Sequence, residues 1–131
     1  MKIVVLAIAL VLNTASPLKD GAVFLFTGKT VHTFKDTLEG ELLSHVFEFV
    51  NNGTQPLIIS HFEVACSCTK AIFSKEPILP GQKSVIEITF DTNGKYGYQD
   101  RTVKIYSNAK KNPVKVRIKT YVYSKKDRVK E

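Results

Sequence analysis

Apolar and polar residues alternate in a series of short stretches along this chain, and these stretches follow one another at intervals of roughly ten residues. The stretch 84–91 shows the pattern best, with Ile86, Ile88 and Phe90 predicted to face inward. Successive side chains of a β-strand point to opposite faces, so each such stretch buries one face only. No stretch carries the periodicity of an amphipathic helix. The pattern predicts an all-β domain built from two packed antiparallel sheets.

About seven strands are expected in this sandwich, with turn-forming residues between them. Gly, Pro, Asn and Asp cluster between the alternating stretches, most clearly in 51–56, 75–82 and 93–99. In the stretch 41–50, the face that carries His45, Phe47 and Phe49 is predicted to be the core face. The stretches with strand character cover residues 22–26, 31–34, 41–50, 57–65, 69–73, 84–91, 101–107 and 114–123.

The composition is that of a soluble globular protein. Hydrophobic residues make up 44% and charged residues 24% of the 131 residues, which disfavours disorder, collagen and coiled coil. The length fits one domain with one hydrophobic core. The net charge is +7, but nine of the nineteen Lys and Arg residues lie between positions 110 and 131. The positive charge is therefore concentrated near one end of the chain.

The first residues have the layout of an export signal. Lys2 precedes an apolar run over 3–12 and a small polar stretch over 13–16. A run of this length is too short for a bilayer core, which needs about 20 residues, and no cysteine follows it for lipid attachment. We therefore predict a signal peptide over 1–16, a sandwich domain over 17–124 and a basic tail over 125–131, with export to the periplasm or beyond. The alternatives for the first residues are an uncleaved anchor or a first buried strand. No transmembrane helix is expected after signal removal.

The two cysteines, Cys66 and Cys68, are one residue apart. On an extended strand their side chains would share a face with α-carbons about 6.5 to 7 Å apart, which is the outer limit for a disulfide. A bend could bring them together. Because a three-residue loop restrains little of the unfolded chain, such a bond would suit redox exchange better than bracing.

Three other states of the cysteines remain open. Two thiolates could bind copper(I) or zinc, with His45 as a further ligand if its strand neighbours the cysteine segment. His61 would lie about 16 Å from Cys66 on an extended strand. The cysteines could also be small buried residues without a further role, or they could pair between molecules.

Basic residues form a stripe on the last strand. Lys115, Arg117 and Lys119 share its outward face, and Lys125 and Lys126 follow in the tail. Such a stripe could contact an anionic polymer. It is also typical of an edge strand on which lysines prevent pairing between sheets.

Five segments occur in an order and spacing that resemble one family: 47–53, 56–59, 66–69, 77–82 and 88–90. The chain resembles an exported bacterial family of immunoglobulin-like domains of unknown function, which carries a Cys-Gly-Cys-Thr signature and is similar in architecture to hydin-like and major-sperm-protein-like sandwiches. The resemblance covers about residues 24–123. It implies an immunoglobulin-like antiparallel β-sandwich and export, but no reaction. Ser67 stands where that family usually has glycine, which raises the question of backbone strain.

The sequence offers few candidate catalytic motifs, since neither Gly-x-Ser-x-Gly nor His-Glu-x-x-His occurs. We therefore predict a non-enzymatic binding or scaffolding module of the bacterial envelope that works without a cofactor. Its predicted partners are a protein or an envelope polymer and not a nucleic acid, and the sequence leaves the oligomeric state open. The alternative is a thiol-redox protein or a protein that handles copper or zinc through Cys66 and Cys68.

Overall fold

The structure of the protein is a computed structural model that describes residues 20–126. The predicted signal peptide, 1–16, and the last part of the predicted tail, 127–131, lie outside the described residues. Within 20–126, no helix is long and apolar enough to cross a membrane. The strands of this part of the chain are β1 (Phe24–Phe26), β2 (Val31–Thr33), β3 (Thr37–Leu38), β4 (Leu42–Asn51), β5 (Ile59–Glu63), β6 (Thr69–Phe73), β7 (Lys83–Asp91), β8 (Gly97–Ser107) and β9 (Val114–Tyr123).

The strands form two sheets that pack face to face. One sheet has the order β1-β4-β7-β6, and the other has the order β2-β9-β8-β5, with β3 also paired to β9. Neighbouring strands are antiparallel except that β2 and β3 run parallel to β9. The predicted all-β, immunoglobulin-like sandwich is confirmed. The strands of the described region outnumber the seven or so expected because the stretch 31–38 supplies two short strands beside β9.

The core lies between the two sheets and consists of the predicted inward faces. Phe49, Ile86, Ile88 and Phe90 of the first sheet are fully buried, as are Val103 and Ile105 of the second. The aromatic rings of Phe24 and Phe26 pack against Phe49. Removal of these apolar side chains from water is the main contribution to the stability of such a domain.

Strand β8 is longer than its sequence indicates. Residues 93–99 contain two glycines and were expected to form a turn, but β8 already begins at Gly97. Its first residues pair with β9, as Gly97 with Val122 and Tyr98 with Tyr121. Pairing with β9 therefore overrides the weak strand propensity of glycine at this position.

Strand β9 is not an edge strand. The expectation that the basic stripe marks an edge strand is therefore wrong. It pairs with β8 on one side and with β2 and β3 on the other. The two short parallel strands that cover its second side lie in 31–38, where strand character was predicted for 31–34 but not for the residues of β3.

The turn after β4 is held by the side chain of Asn51, which is fully buried at the end of the strand. Its amide nitrogen donates to the carbonyls of Gln55 and Ile78 at 2.8 and 2.9 Å. Its oxygen accepts from the backbone N–H groups of Val23 and Gly53 at 3.2 and 3.0 Å. One side chain therefore ties the first segment, the turn and the 75–82 loop together.

Candidate functional site

The chain leaves the second sheet where the cysteines lie. Strand β5 pairs with β8 as far as Glu63 opposite Lys104. The chain then bends through residues 64–68 and enters the other sheet as β6 at Thr69. The turn is closed by the backbone N–H of Thr69, which donates to the carbonyl of Cys66 at 3.2 Å. We call residues 64–68 the cysteine turn.

The cysteine turn brings the sulfur atoms of Cys66 and Cys68 to bonding distance. Their α-carbons are 5.2 Å apart, nearer than the 6.5 to 7 Å expected for an extended strand, because β5 ends at Glu63 and this segment bends. The spacing therefore lies within the ordinary range for a disulfide. Whether the protein holds the bond in solution stays a prediction that thiol counting tests.

Ser67 adopts a backbone conformation that suits any L-residue. Among the described residues, positive φ angles occur only at glycines. Serine at this position therefore carries no left-handed strain.

The histidines do not join the cysteines. His45 lies on β4 opposite Ile88 of β7, and Ile88 in turn pairs with Ala71 of β6, so one whole strand separates His45 from the strand that follows the cysteines. His61 stacks on Tyr106 with ring centroids 4.5 Å apart. Within 20–126, no three His, Cys, Asp or Glu side chains come together to hold a metal ion. The copper or zinc hypothesis therefore rests on the two sulfur atoms alone and stays a prediction.

An open cleft of about 470 Å³ lies against the cysteine turn. One wall is the end of β5 and the turn itself, and the other wall is the middle of β8. The cleft contains both apolar and charged groups. Its lining residues are Glu63, Val64, Ala65, Cys66, Thr69, Asp100, Arg101, Thr102 and Lys104.

Beside this cleft, strand β8 has an unpaired edge. On one side β9 pairs with β8 from Gly97 to Ile105. On the other side β5 pairs only with residues 104–107. The segment 97–103 therefore has no ladder partner on that side within the described chain. Every second residue of an antiparallel strand points its N–H and C=O toward the missing neighbour, so this edge can pair with another chain.

Arg101 lies on the inward face of this open segment. Its guanidinium carbon is 5.7 Å from the centre of the Phe90 ring, a cation–π contact. Its Nη2 donates to Gln99 Oε1 at 2.7 Å, whereas its Nε is buried and has no partner among the described residues. Arg101 was not among the predicted site residues, although a charged residue at an inward position of an alternating strand was the available signal.

The two acidic side chains at the cleft are engaged elsewhere. Asp100 accepts hydrogen bonds from Arg117, and these lower the pKa of its carboxyl, with smaller contributions from the charges of Arg117, Lys119 and Arg101. Glu63 accepts from the hydroxyl of Tyr106 at 2.9 Å, a bond that raises the pKa of that tyrosine. Arg117 and Asp100 form the only ion pair within residues 20–126. Arg101 is thus a cation without a carboxylate of its own.

The predicted basic stripe lies on the outer face of the second sheet. Lys115 and Arg117 are exposed and Lys119 is half-buried. The ion pair with Asp100 offsets part of this charge. Lys125 and Lys126 are exposed just after β9. Three exposed tyrosines extend the same face beyond the stripe, namely Tyr98, Tyr121 and Tyr123.

Several solved structures share this fold. A crystal structure of a protein of unknown function from Porphyromonas gingivalis W83 has a TM-score of 0.61 at 17% identity, over 82% of this chain and 50% of that one. The VesB protease of Vibrio cholerae gives 0.61 at 12% identity, over 75% and 31%. The PapD-like domain 7 of human CEP192 gives 0.63 at 13% identity, over 95% and 97%. The chain therefore spans half of the first protein and less than a third of the second. At these identities the likeness shows the fold alone.

Sequence comparison gives a family but no characterised relative. No curated protein matches the chain. A family profile described as "protein of unknown function (DUF1573)" matches residues 25–122, which covers β1 almost completely and every strand from β2 to β8, together with nearly all of β9. This match takes in the cysteine turn and the cleft beside it, and it extends over well more than half of the sequence. The chain therefore belongs to the DUF1573 family of proteins of unknown function.

Proposed function

We propose that this protein is a non-enzymatic binding module of the bacterial envelope that takes up an extended segment of a partner protein as an added strand on β8. The observation that carries the proposal is the unpaired edge of residues 97–103 beside an open cleft. A peptide added there gains main-chain hydrogen bonds along the edge, and its alternate side chains enter the cleft.

The open edge is a consequence of the cysteine turn. If β5 ran on in register, residues 64–68 would pair with 99–103 and would cover the edge. The chain instead turns away at Val64 to reach the first sheet. The space left beside β8 is therefore the place that a strand of this sandwich would otherwise fill, so its length and direction already suit an extended chain.

Export is part of the proposal. It is supported by the apolar run over 3–12 and the small residues after it, and by the resemblance to exported domains with a Cys-Gly-Cys-Thr signature and a hydin-like or major-sperm-protein-like sandwich. Intact-mass measurement of the protein from a cell-envelope fraction should give a chain that lacks residues 1–16. Recovery of the full-length chain from the cytosol would contradict this part.

Photo-crosslinking and hydrogen exchange test the strand addition. A photoreactive amino acid at Thr102, which is exposed on β8, should crosslink one partner from envelope extract, and the same group at Val46 on the other sheet should not. The crosslinked segment of that partner is then made as a peptide. Its addition should slow amide exchange in residues 97–103. Unchanged exchange in this segment at saturating peptide would reject the proposal.

The second candidate function is thiol–disulfide exchange at the cysteine turn. It is favoured by the bonding distance of the two sulfur atoms and by the position of Cys66 in the cleft wall. A thiolate of a partner protein would attack one sulfur, and the other cysteine would leave as a thiolate. A second partner thiolate would then attack the mixed disulfide, so that the partner gains a disulfide and this protein is reduced by two electrons. Failure to oxidise a reduced dithiol peptide would reject this candidate.

Two further predictions from the sequence stay proposals with their own tests. Calorimetry of the reduced protein with copper(I) or zinc tests whether Cys66 and Cys68 hold a metal. Elution from heparin tests whether the stripe of Lys115, Arg117 and Lys119 with Lys125 and Lys126 contacts an anionic envelope polymer. Retention should then fall steeply with salt.

A further inference from the structure

The register between β5 and β8 fixes where an added strand would meet Arg101. The pairs run antiparallel, with Phe62 opposite Ile105 and Glu63 opposite Lys104. A partner strand in the same line continues this register along 97–103. One of its residues then lies opposite Arg101, at the position that Cys66 would occupy if β5 continued.

Residues directly opposite each other in an antiparallel pair project their side chains from the same face, with β-carbons about 4.5 to 5.5 Å apart. Arg101 lies on the inward face of β8, in line with the buried Val103 and Ile105, and its guanidinium packs over Phe90. The partner side chain opposite Arg101 therefore enters the cleft beside the guanidinium. The neighbouring partner side chains, opposite Asp100 and Thr102, point to solvent.

The Arg101 side chain has donor capacity that the protein does not use. Its Nη2 is bonded to Gln99, but its buried Nε has no partner in the described chain. A buried donor without a partner costs free energy, and a carboxylate is the acceptor whose geometry best matches a guanidinium. The local carboxylates do not fill this role, since Glu63 accepts from Tyr106 and Asp100 accepts from Arg117.

We propose that Arg101 determines the specificity of the added strand by binding an aspartate or glutamate side chain at the partner position opposite it. This inference rests on the proposed strand addition and names the chemistry of the partner. The expected ligand is an extended segment with one acidic residue facing the cleft. Because the cleft is also lined by Val64, Ala65 and Cys66, small apolar residues are expected two positions away on the same face.

A phage-displayed library of random linear peptides, selected on the full chain, tests the assignment. Enriched peptides should share Asp or Glu at one position. Replacement of that residue by Asn or Gln should weaken binding by about tenfold, the effect expected for a charge-assisted hydrogen bond. On Arg101→Met, which keeps an unbranched apolar side chain over Phe90, the acidic and amide peptides should bind equally. Arg101→Lys should restore part of the difference.

Lys83→Met is the matched control, because it removes one positive charge from an exposed position on β7 in the other sheet. It should leave the preference for the acidic peptide intact. Thermal melting of each variant shows that it is folded, and a photoreactive group at Thr102 shows that the peptide lies along β8.

The failures of the two proposals are distinguishable. If enriched peptides crosslink to β8 but have no acidic position, or if Arg101→Met keeps the preference, the assignment of Arg101 is wrong while strand addition stands. If no peptide is enriched on the wild-type chain, strand addition is wrong and the assignment falls with it.

Discussion

The imidazole rings of His32 and His45 stack face to face across the sandwich, with ring centroids 3.6 Å apart and planes within 7° of parallel. His32 belongs to β2 of one sheet and His45 to β4 of the other. Phe34 and Phe47 contact the pair edge-on. A second charge in such a stack is unfavourable, and burial adds to this, so desolvation first and the nearby His32 second lower the pKa of His45.

The first prediction concerns pH and follows from this lowered pKa. As the pH falls through about 6.5, His45 of the unfolded chain takes up a proton before the folded protein does. The unfolded state then binds more protons. The contribution of His45 to the pH dependence of the free energy of unfolding should therefore be absent above about pH 6.5, and the free energy of unfolding should decrease as the pH falls below it. His45→Gln should flatten this part of the curve of melting temperature against pH. His61→Gln, on the outer face, should keep the wild-type slope; equal slopes for wild type and His45→Gln would contradict the prediction.

The second prediction concerns Asn51, whose side chain makes four hydrogen bonds in a fully buried site. Asn51→Ala leaves two N–H groups and two carbonyls without this partner, and each such group costs about 1 to 3 kcal/mol when it stays dry. The free energy of unfolding should fall by about 3 kcal/mol or more in denaturant titration. Asn52→Ala, at the next position, should have a much smaller effect. Similar losses for both variants would show that the buried bonds contribute little.

The third prediction concerns Gly53, which approaches the backbone of the first described segment. A β-carbon at this position would lie 1.9 Å from the carbonyl oxygen of Gly21. Gly53→Ala must therefore push the two backbone segments apart and should cost about 3 kcal/mol. Gly28→Ala is the control, because a β-carbon there meets nothing within 4 Å, and it should change stability by less than about 0.5 kcal/mol. Equal melting temperatures for the two variants would contradict the close approach.

The sequence and the structure agree best where one physical rule acts alone. The alternation in β7 correctly predicted the burial of Ile86, Ile88 and Phe90, because a sheet with one dry face leaves no other arrangement. Gly53 lies in the predicted turn 51–56 but has no positive φ. It is required by the nearby backbone of Gly21, which lies 32 positions away in sequence and which local patterns do not show.

The candidate site was only partly predictable for the same reason. The cysteine pair stands out in the sequence, and the structure places it at the wall of a cleft. The open edge of β8 depends on where β5 stops pairing. The inward position of Arg101 depends on its contact with the ring of Phe90 in the other sheet. Both depend on the packing of segments distant in sequence. A charged residue in line with Val103 and Ile105 was the single local sign.

The fourth prediction concerns the aromatic core. Phe49 is fully buried and contacts the rings of Phe24 and Phe26. Phe49→Ala should lower the free energy of unfolding by about 3 to 5 kcal/mol, from lost burial and the cavity that remains. Leu42→Ala, whose side chain is 69% exposed on the same strand, should cost less than about 1 kcal/mol. A melting curve barely moved by Phe49→Ala would mean that the inward face of β4 is wrong.

The last prediction separates the proposed binding role of the cleft from the alternative redox role of the cysteines. A bond between Cys66 and Cys68 closes a loop so short that it restrains the unfolded chain little, so Cys66→Ser with Cys68→Ser should change the melting temperature by only a few degrees. Denatured wild-type protein without reductant should show no free thiols if the bond is present. In the proposed complex, a strand added to β8 would be held by main-chain hydrogen bonds and by Arg101, and neither involves sulfur. The double variant should therefore bind selected peptides within about threefold of wild type, well below the tenfold effect of one charge-assisted bond. Complete loss of peptide binding in a folded double variant would mean that the partner is held through the cysteines and that thiol exchange, not strand addition, is the function of the cleft.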